Sequence, residues 1–368
     1  MSKLGVAIIG CGGITLQNHL PGLAMCPDVK VTALCDADPA VLERARQQSG
    51  IAVALTDFTE LLKRDDVDAV IIATPNFLHA DIALKAIAAG KHVFCEKPLA
   101  MNFAESLKMY SAAEKAGVRH MTAFTYRFVP GMRYTQHLIQ SGAVGQPFHF
   151  RNCRLQDWGT RALGWRQVQK LAGSGELGDM LSHRIDFSHL LMGPMTQLVA
   201  NTRIFHPQRS GQPSDLEDWV SIIADFKNNA TGVLESSKVA TGRGESAHSQ
   251  DYVEINGSEG TIVYNTERPH SLLLGKKGEK QLKSIEVPKE FHKLPGSPRD
   301  PSQGDPLFVF RYDQNFEFVD AIRNSRECWP SFRDGAIAQG IMDAALESAR
   351  EKRWIDVSNL ATQLDAPR

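Results

Sequence analysis

The stretch Leu4-Gly5-Val6-Ala7-Ile8-Ile9-Gly10-Cys11-Gly12-Gly13-Ile14-Thr15 decides the fold. Gly5 to Gly10 is an unbroken apolar run closed by glycine, the pattern of a strand buried on both faces. The residues from Ile14 to Ala24 can follow as a helix. Strand, glycine turn and helix in that order make a cradle for a pyrophosphate. Gly10 permits the tight turn, and Gly12 lets the backbone approach the phosphates. The helix start offers free N–H groups and the positive end of its dipole. Gly13 and Ile14 complete the loop. The third fingerprint position, usually Gly or Ala, is Thr15 here, and an ordinary tight turn is the alternative reading.

The next apolar run, Val29 to Cys35, ends at Asp36. An acidic residue at that distance accepts hydrogen bonds from ribose hydroxyls and repels a 2′-phosphate. Its neighbours are Cys35, Ala37 and Asp38, with no arginine beside it, so the expected cofactor is NAD and not NADP. Further strands are expected at Ala52 to Leu55, Ala69 to Ala73, His92 to Cys95 and His120 to Thr125. Helices fall between them at Pro39 to Gln48, Phe58 to Arg64, Ala80 to Ala89 and Ala104 to Ala116. This alternation predicts a doubly wound parallel α/β sheet over residues 1–125, a Rossmann domain that binds at the carboxyl ends of its strands. Thr74 and Asn76 follow the fourth strand, and Glu96 and Lys97 follow the fifth. These four are expected around the nicotinamide. His79 is grouped with them as a helix-start residue making a structural bond.

Residues 126–368 read differently. Helices are expected at Pro130 to Ser141 and Gly178 to Leu191. Longer strand-like runs occupy Met195 to Leu274, with a hairpin turn at residues 225–232. The expectation is an α+β domain with an open, largely antiparallel sheet, for substrate binding and oligomer contacts. Residues 288–306 form a long irregular loop on which His292 and Arg299 are candidates to close over the cleft. Final helices are expected at Phe316 to Asn324 and Asp334 to Glu351.

The chain has 368 residues and a formal net charge of -1, which favours a small-molecule partner over nucleic acid or an anionic membrane. No apolar run approaches the roughly 18 residues of a membrane span, and no signal peptide is read at Met1 to Leu4. Six scattered cysteines without a Cys-x-x-Cys pair suggest reduced thiols, a cytoplasmic protein and no metal site.

Four segments together resemble the Gfo/Idh/MocA oxidoreductase family. They are Gly10 to Gly13, Ala73-Thr74-Pro75-Asn76-Phe77-Leu78-His79, Glu96-Lys97-Pro98, and Gly178-Asp179-Met180-Leu181-Ser182-His183-Arg184-Ile185-Asp186. Trp165-Arg166 fits as well. The resemblance implies that Lys97 hydrogen-bonds the reacting hydroxyl. It makes His183 the proton acceptor, and has Asp179 hold substrate or tune His183. Arg166 joins the cofactor set, and a homo-oligomer, dimer or tetramer, is implied. On a helix Asp179 and His183 stand one turn apart, so the carboxylate is expected to favour the charged imidazole. Tyr126, Arg154, Trp158 and Trp165 supply the aromatic and polar surface expected around a sugar. Three functions stay open: an NAD-dependent sugar or polyol dehydrogenase, an NAD-requiring glycosidase that oxidises C3 transiently, and a non-catalytic sugar or NAD sensor. An anionic sugar is also open, given the arginines before Asp179.

Overall fold

A computed structural model describes residues 2–245 and 250–365. The first sheet has six parallel strands: β1 (Leu4–Ile9), β2 (Val29–Cys35), β3 (Ala54–Leu55), β4 (Ala69–Ile72), β5 (His92–Cys95) and β6 (His120–Thr122), in the order β3-β2-β1-β4-β5-β6. Every residue of β1 and β4 is buried, as all-apolar strands covered on both faces must be. The strand order reverses between β1 and β4, and that switch opens a crevice at their carboxyl ends. Gly10 leaves β1 with φ +97°, and a Cβ there would strike the Ala73 carbonyl just past β4. Only glycine fits both demands.

Helices α1 (Leu20–Ala24), α2 (Pro39–Ser49), α3 (Phe58–Leu62), α4 (His79–Ala88) and α5 (Phe103–Ala116) cover the sheet. Asp38 caps α2, accepting from the N–H groups of Ala40 at 2.8 Å and Val41 at 3.3 Å, with Pro39 at the first helical position. The sixth strand stops at Thr122, short of its expected end. The chain turns into a 3₁₀ segment, Thr125–Phe128, that presents Tyr126 and Arg127.

After α6 (Pro130–Gln140) the second sheet begins with β7 (Pro147–Leu155). Then come α7 (Gln169–Ala172), α8 (Ser182–Met192), β8 (Met195–Arg203) and a small ribbon of β9 (Gln208–Arg209) and β10 (Gln212–Pro213). The sheet continues through β11 (Trp219–Phe226), β12 (Thr231–Ser237), β13 (Gln250–Gly257), β14 (Gly260–Asn265), β15 (Ser271–Lys276) and β16 (Lys283–Glu286). Helices α9 (Tyr312–Arg323) and α10 (Phe332–Glu351), strand β17 (Ile355–Asp356) and α11 (Leu360–Asp365) close the chain. The nine strands run β16-β15-β14-β13-β7-β12-β11-β8-β17. β7 and β12 pair in parallel and the other pairs are antiparallel, so the sheet is mixed and largely antiparallel. In β11 the side chains of Val220, Ile222, Ala224 and Phe226 are buried while Ile223 is exposed, the period of two that leaves one face bare.

The last helices return to the first half. α9 packs on α1, and α10 runs between α5 and β8. The loop from 288 to 306 does not stand over the crevice. Arg299 is buried and forks Asp313 at the start of α9, with Nη2–Oδ2 at 2.8 Å, and His292 Nε2 lies 2.9 Å from the Val287 carbonyl. That anchor is not legible in the loop's own residues, because Asp313 lies beyond it.

A buried fork also ties the turn after β6 to two helices of the second half. Arg127 reaches Asp186 on α8 at 2.8 and 2.5 Å and Asp334 on α10 at 2.8 Å. We expect Arg127→Met to destabilise the protein by about 3–5 kcal/mol, because it strands a buried carboxylate. Adding Asp186→Leu to it should recover part of that loss. Thermal melts of the two single variants and the double check this; strictly additive losses would mean the fork contributes nothing.

Candidate active site

One cleft of about 1020 Å³ runs along the carboxyl edge of the parallel sheet and on between the two halves. Gly10, Gly12, Gly13 and Ile14 line one end. Nothing stands within 4 Å of the place where a Cβ on Gly12 or Gly13 would sit, so the backbone there is bare toward the cleft. Thr15 accounts for the departure at the third fingerprint position. Its hydroxyl donates to the Gly10 carbonyl at 2.6 Å and ties the helix start back onto the loop. Asp36 faces the same end and also shapes it. One carboxylate oxygen accepts from the Cys11 N–H at 2.7 Å, the other from the Asp38 N–H at 2.9 Å. An open glycine cradle beside a carboxylate at the end of β2 suits a dinucleotide with a free ribose 2′-hydroxyl.

Thr74, Asn76, Glu96 and Lys97 line the middle of the cleft. Asn76 Nδ2 donates to the Ala172 carbonyl at 2.8 Å, joining the loop after β4 to α7. Glu96 is a strut: its Oε1 lies 2.9 Å from His19 Nε2, and His19 Nδ1 lies 3.1 Å from Asn315 Oδ1 on α9. Burial pushes the Glu96 carboxyl up, but His19 and Lys97 outweigh it and hold it below the usual range. His79 stands behind the wall, fully buried, with its ring nitrogens 2.9 Å from the Pro98 carbonyl and 3.0 Å from that of Thr74. It braces the loops after β4 and β5 against each other and does not face the cleft.

Lys97 crosses to the second half. Its Nζ donates to the Asp179 backbone carbonyl and lies 3.3 Å from Asp179 Oδ1. Arg166, lying over the Trp165 ring at 4.4 Å, brings its Nε to 3.7 Å from the same carboxylate oxygen. Burial pushes the Asp179 carboxyl up, yet Lys97, Arg166 and Lys238 more than offset this and hold it below the usual carboxylate range.

His183 differs from the expectation. Its segment is not one regular helix: Leu177–Leu181 is wound as a wider π turn, and α8 starts at Ser182. The wider turn breaks the alignment of residues four apart. Among the described residues no hydrogen bond joins Asp179 to His183, and His183 Nδ1 is buried without a partner. Burial first, then Lys97, Arg184, Arg311 and Arg154, hold the imidazole well below its ordinary pKa. It is therefore a neutral ring at physiological pH, the opposite of the charged form that a carboxylate neighbour would favour.

Tyr126 packs on that ring, with centroids 4.7 Å apart. Arg154 also lines the cleft, and its Nη1 lies 3.2 Å from Asp251 Oδ2, an oxygen that Arg184 also contacts. Trp165 lies on the cleft wall, but Trp158 does not: it is buried under Lys238 at 4.9 Å and Arg161 at 5.5 Å. Sequence reading missed Arg184, Asp251, Arg311 and Gln314, of which Arg311 and Gln314 line the cleft. They stand far along the chain from the other site residues, and no local motif marks them.

Residues 4–124 match the family described as oxidoreductase family, NAD-binding Rossmann fold, and residues 132–263 match the GFO/IDH/MocA C-terminal domain. Levoglucosan dehydrogenase of Pseudarthrobacter phenanthrenivorans is 31% identical, over 98% of this chain and 100% of its own. A solved structure of levoglucosan dehydrogenase in complex with NADH and levoglucosan superposes with a TM-score of 0.89 at 32% identity, covering 97% of this chain and 100% of that one. The 2,7-anhydro-N-acetylneuraminate hydratase of Mediterraneibacter gnavus is 31% identical over 71% of this chain and 67% of its own. A bare glycine cradle, an acidic residue after β2 and relatives of this kind lead to one conclusion: the chain is an NAD-dependent enzyme belonging to the Gfo/Idh/MocA family of sugar oxidoreductases.

Proposed function

We propose that the protein is a dehydrogenase that oxidises a secondary hydroxyl of a sugar, polyol or anhydrosugar, with Lys97, Asp179 and His183 handling the proton. The observation that carries this reading is the unpartnered His183 Nδ1 in a buried, cation-ringed position on the same cleft as Lys97. NAD, when bound, takes up the hydride from the carbinol carbon or returns it. The protein's part is the proton. Asp179 holds the Lys97 ammonium in place, and that ammonium donates to the substrate oxygen and stabilises its developing negative charge. His183, kept neutral, accepts the hydroxyl proton as the C–O bond gains double-bond character. Gly10, Gly12, Gly13, Ile14 and Asp36 hold the dinucleotide, with Thr74 and Asn76 beside it. Arg166 guards the cleft between cofactor and substrate. The levoglucosan dehydrogenase relative supports a sugar-like substrate.

Lys97→Met and His183→Asn should each lower kcat by about 10²–10⁴, the usual contribution of a positioned acid–base group. NADH should still quench tryptophan fluorescence in both. For the parent enzyme, activity in the oxidative direction should persist below pH 6.5, the ordinary value of an imidazole, because protonation of His183 is pushed to lower pH. Full activity in either variant, or an acid limb at or above pH 6.5, would count against this assignment.

Asp36 sets the cofactor preference in this reading. Asp36→Ser combined with Ala37→Arg should move the ratio of kcat/KM values toward NADP⁺ by about tenfold or more, as a carboxylate is exchanged for a phosphate partner. Because Asp36 also accepts from the Cys11 N–H, the double variant should lose some affinity for both cofactors. Steady-state kinetics with the two cofactors decides; an unchanged ratio would remove Asp36 from this role.

A second reading has its own support. Tyr126 lies against His183, and although burial pushes its phenol up, Arg154 and Arg311 bring it below the usual range. That eases ionisation of the phenol, and a redox-neutral route needs a second base at such a place. Such a route oxidises C3 transiently, eliminates across C2 and C1, adds water and returns the hydride. The hydratase relative points the same way. With p-nitrophenyl glycosides this route releases nitrophenol without net NADH, whereas a simple dehydrogenase forms NADH and releases no phenol. Recording both absorbances in one cuvette separates the two.

A further inference from the structure

The fully buried guanidiniums of this molecule each have a carboxylate. Arg127 has Asp186, Arg209 has Asp218, Arg299 has Asp313, and Arg154 and Arg184 share Asp251. Arg311 is half-buried on the cleft wall and, among the described residues, has no such carboxylate. It ends the 3₁₀ turn Val309–Arg311 and lines the cleft with Tyr126, Arg154 and His183. Its Nε is buried with no hydrogen-bond partner, and among the described residues its guanidinium makes no ion pair.

The side chain is held in place all the same. Its guanidinium lies over the Phe308 ring at 5.1 Å and the Phe310 ring at 5.8 Å, and Phe310 packs on Tyr126 at 5.9 Å. Aromatic faces position a guanidinium without neutralising it. Among the described residues, no carboxylate of the cleft pairs with it: Glu96 is met by His19 and Glu245 by Arg161. Asp251 is already shared, and Asp179 is committed to Lys97 and Arg166. Burial pushes the Glu176 carboxyl up to about 8, so it carries little negative charge at neutral pH. A guanidinium held in order on the cleft wall, with its Nε–H buried and unanswered, offers a ready partner to an anionic ligand.

We propose that Arg311 receives a carboxylate of the substrate, so that the sugar oxidised here is an acid sugar of the uronate or aldonate type. One unanswered guanidinium matches one negative charge, which favours a carboxylate over a phosphate dianion, and the planar fork suits two carboxylate oxygens. The proposal rests on the dehydrogenase reading above for its cleft, but not on which residues move the proton.

The test uses three pairs of probes that differ only in an acid group: D-glucuronate and D-glucose, D-galacturonate and D-galactose, D-gluconate and D-glucitol. Binding is read from the melting temperature of the enzyme–NADH complex, and turnover from NADH formed with NAD⁺. In at least one pair the acid should protect the complex at a concentration roughly tenfold or more below its neutral twin. Arg311→Met should reduce that acid-to-neutral ratio to about one, and Arg311→Lys, which keeps the charge without the fork, should leave an intermediate ratio. Circular dichroism and NADH binding establish that both variants fold. Neutral sugars favoured in every pair, no pair showing acid preference, or a ratio unmoved by Arg311→Met overturns the proposal. Acid sugars that bind through Arg311 but yield no NADH uphold Arg311 as the carboxylate receptor and bring down the dehydrogenase reading.

Discussion

The contact between Lys97 and Asp179 spans the cleft and couples its two halves. Lys97 follows β5 in the parallel sheet, while Asp179 sits in the π turn ahead of α8 in the other half. The amine bonds both the backbone carbonyl and the carboxylate of Asp179, so its position is fixed from two directions. The consequence falls on His183. An aspartate engaged by Lys97 and Arg166 is not available to an imidazole, and His183 is left among cations with Nδ1 open. The ion pair thereby fixes the orientation of the amine, while burial and the surrounding cations keep the imidazole neutral.

Buried polar contacts recur deeper in the molecule. Arg127 joins the turn after β6 to α8 and α10, and His19 joins the first helix to Glu96 and to Asn315 on α9. These contacts are buried, where each lost partner costs far more than at the surface. A cleft whose walls come from separate layers needs such seams, because proton transfer tolerates little displacement of its groups.

Residues near in sequence were the legible ones. Leu4 to Thr15 disclosed the sheet and the cradle, since strand burial and glycine geometry are local properties. Asp36, Thr74, Asn76, Glu96 and Lys97 were readable because each follows a recognisable strand, and strand ends in a parallel sheet share one edge. The pairing of Asp179 with His183 was misread because a regular helix was assumed where the chain is wound wider. His79 makes the structural bonds expected of it, though not toward the cofactor cleft, while Trp158 looked functional by type and tertiary packing turned it inward. Arg299 and His292 sat on a loop whose anchor, Asp313 among its contacts, cannot be inferred from the loop itself. Arg311 was invisible for a related reason: a lone arginine gains meaning only when its missing partner is seen.

Charge in the cleft links substrate identity to reaction type. The Tyr126 phenol is raised by burial and lowered more by Arg154 and Arg311. A substrate carboxylate seated on Arg311 cancels part of that positive field, and the phenol then reverts toward its ordinary, weakly acidic state. In the function proposed above, an acid sugar thus weakens Tyr126 as a second base and favours release of the oxidised sugar. With a neutral glycoside, Arg311 stays uncompensated, Tyr126 stays acidified, and abstraction beside the new carbonyl becomes easier. On this account a single guanidinium selects between net oxidation and redox-neutral cleavage through the charge of the molecule it meets, with His183 and Lys97 serving both.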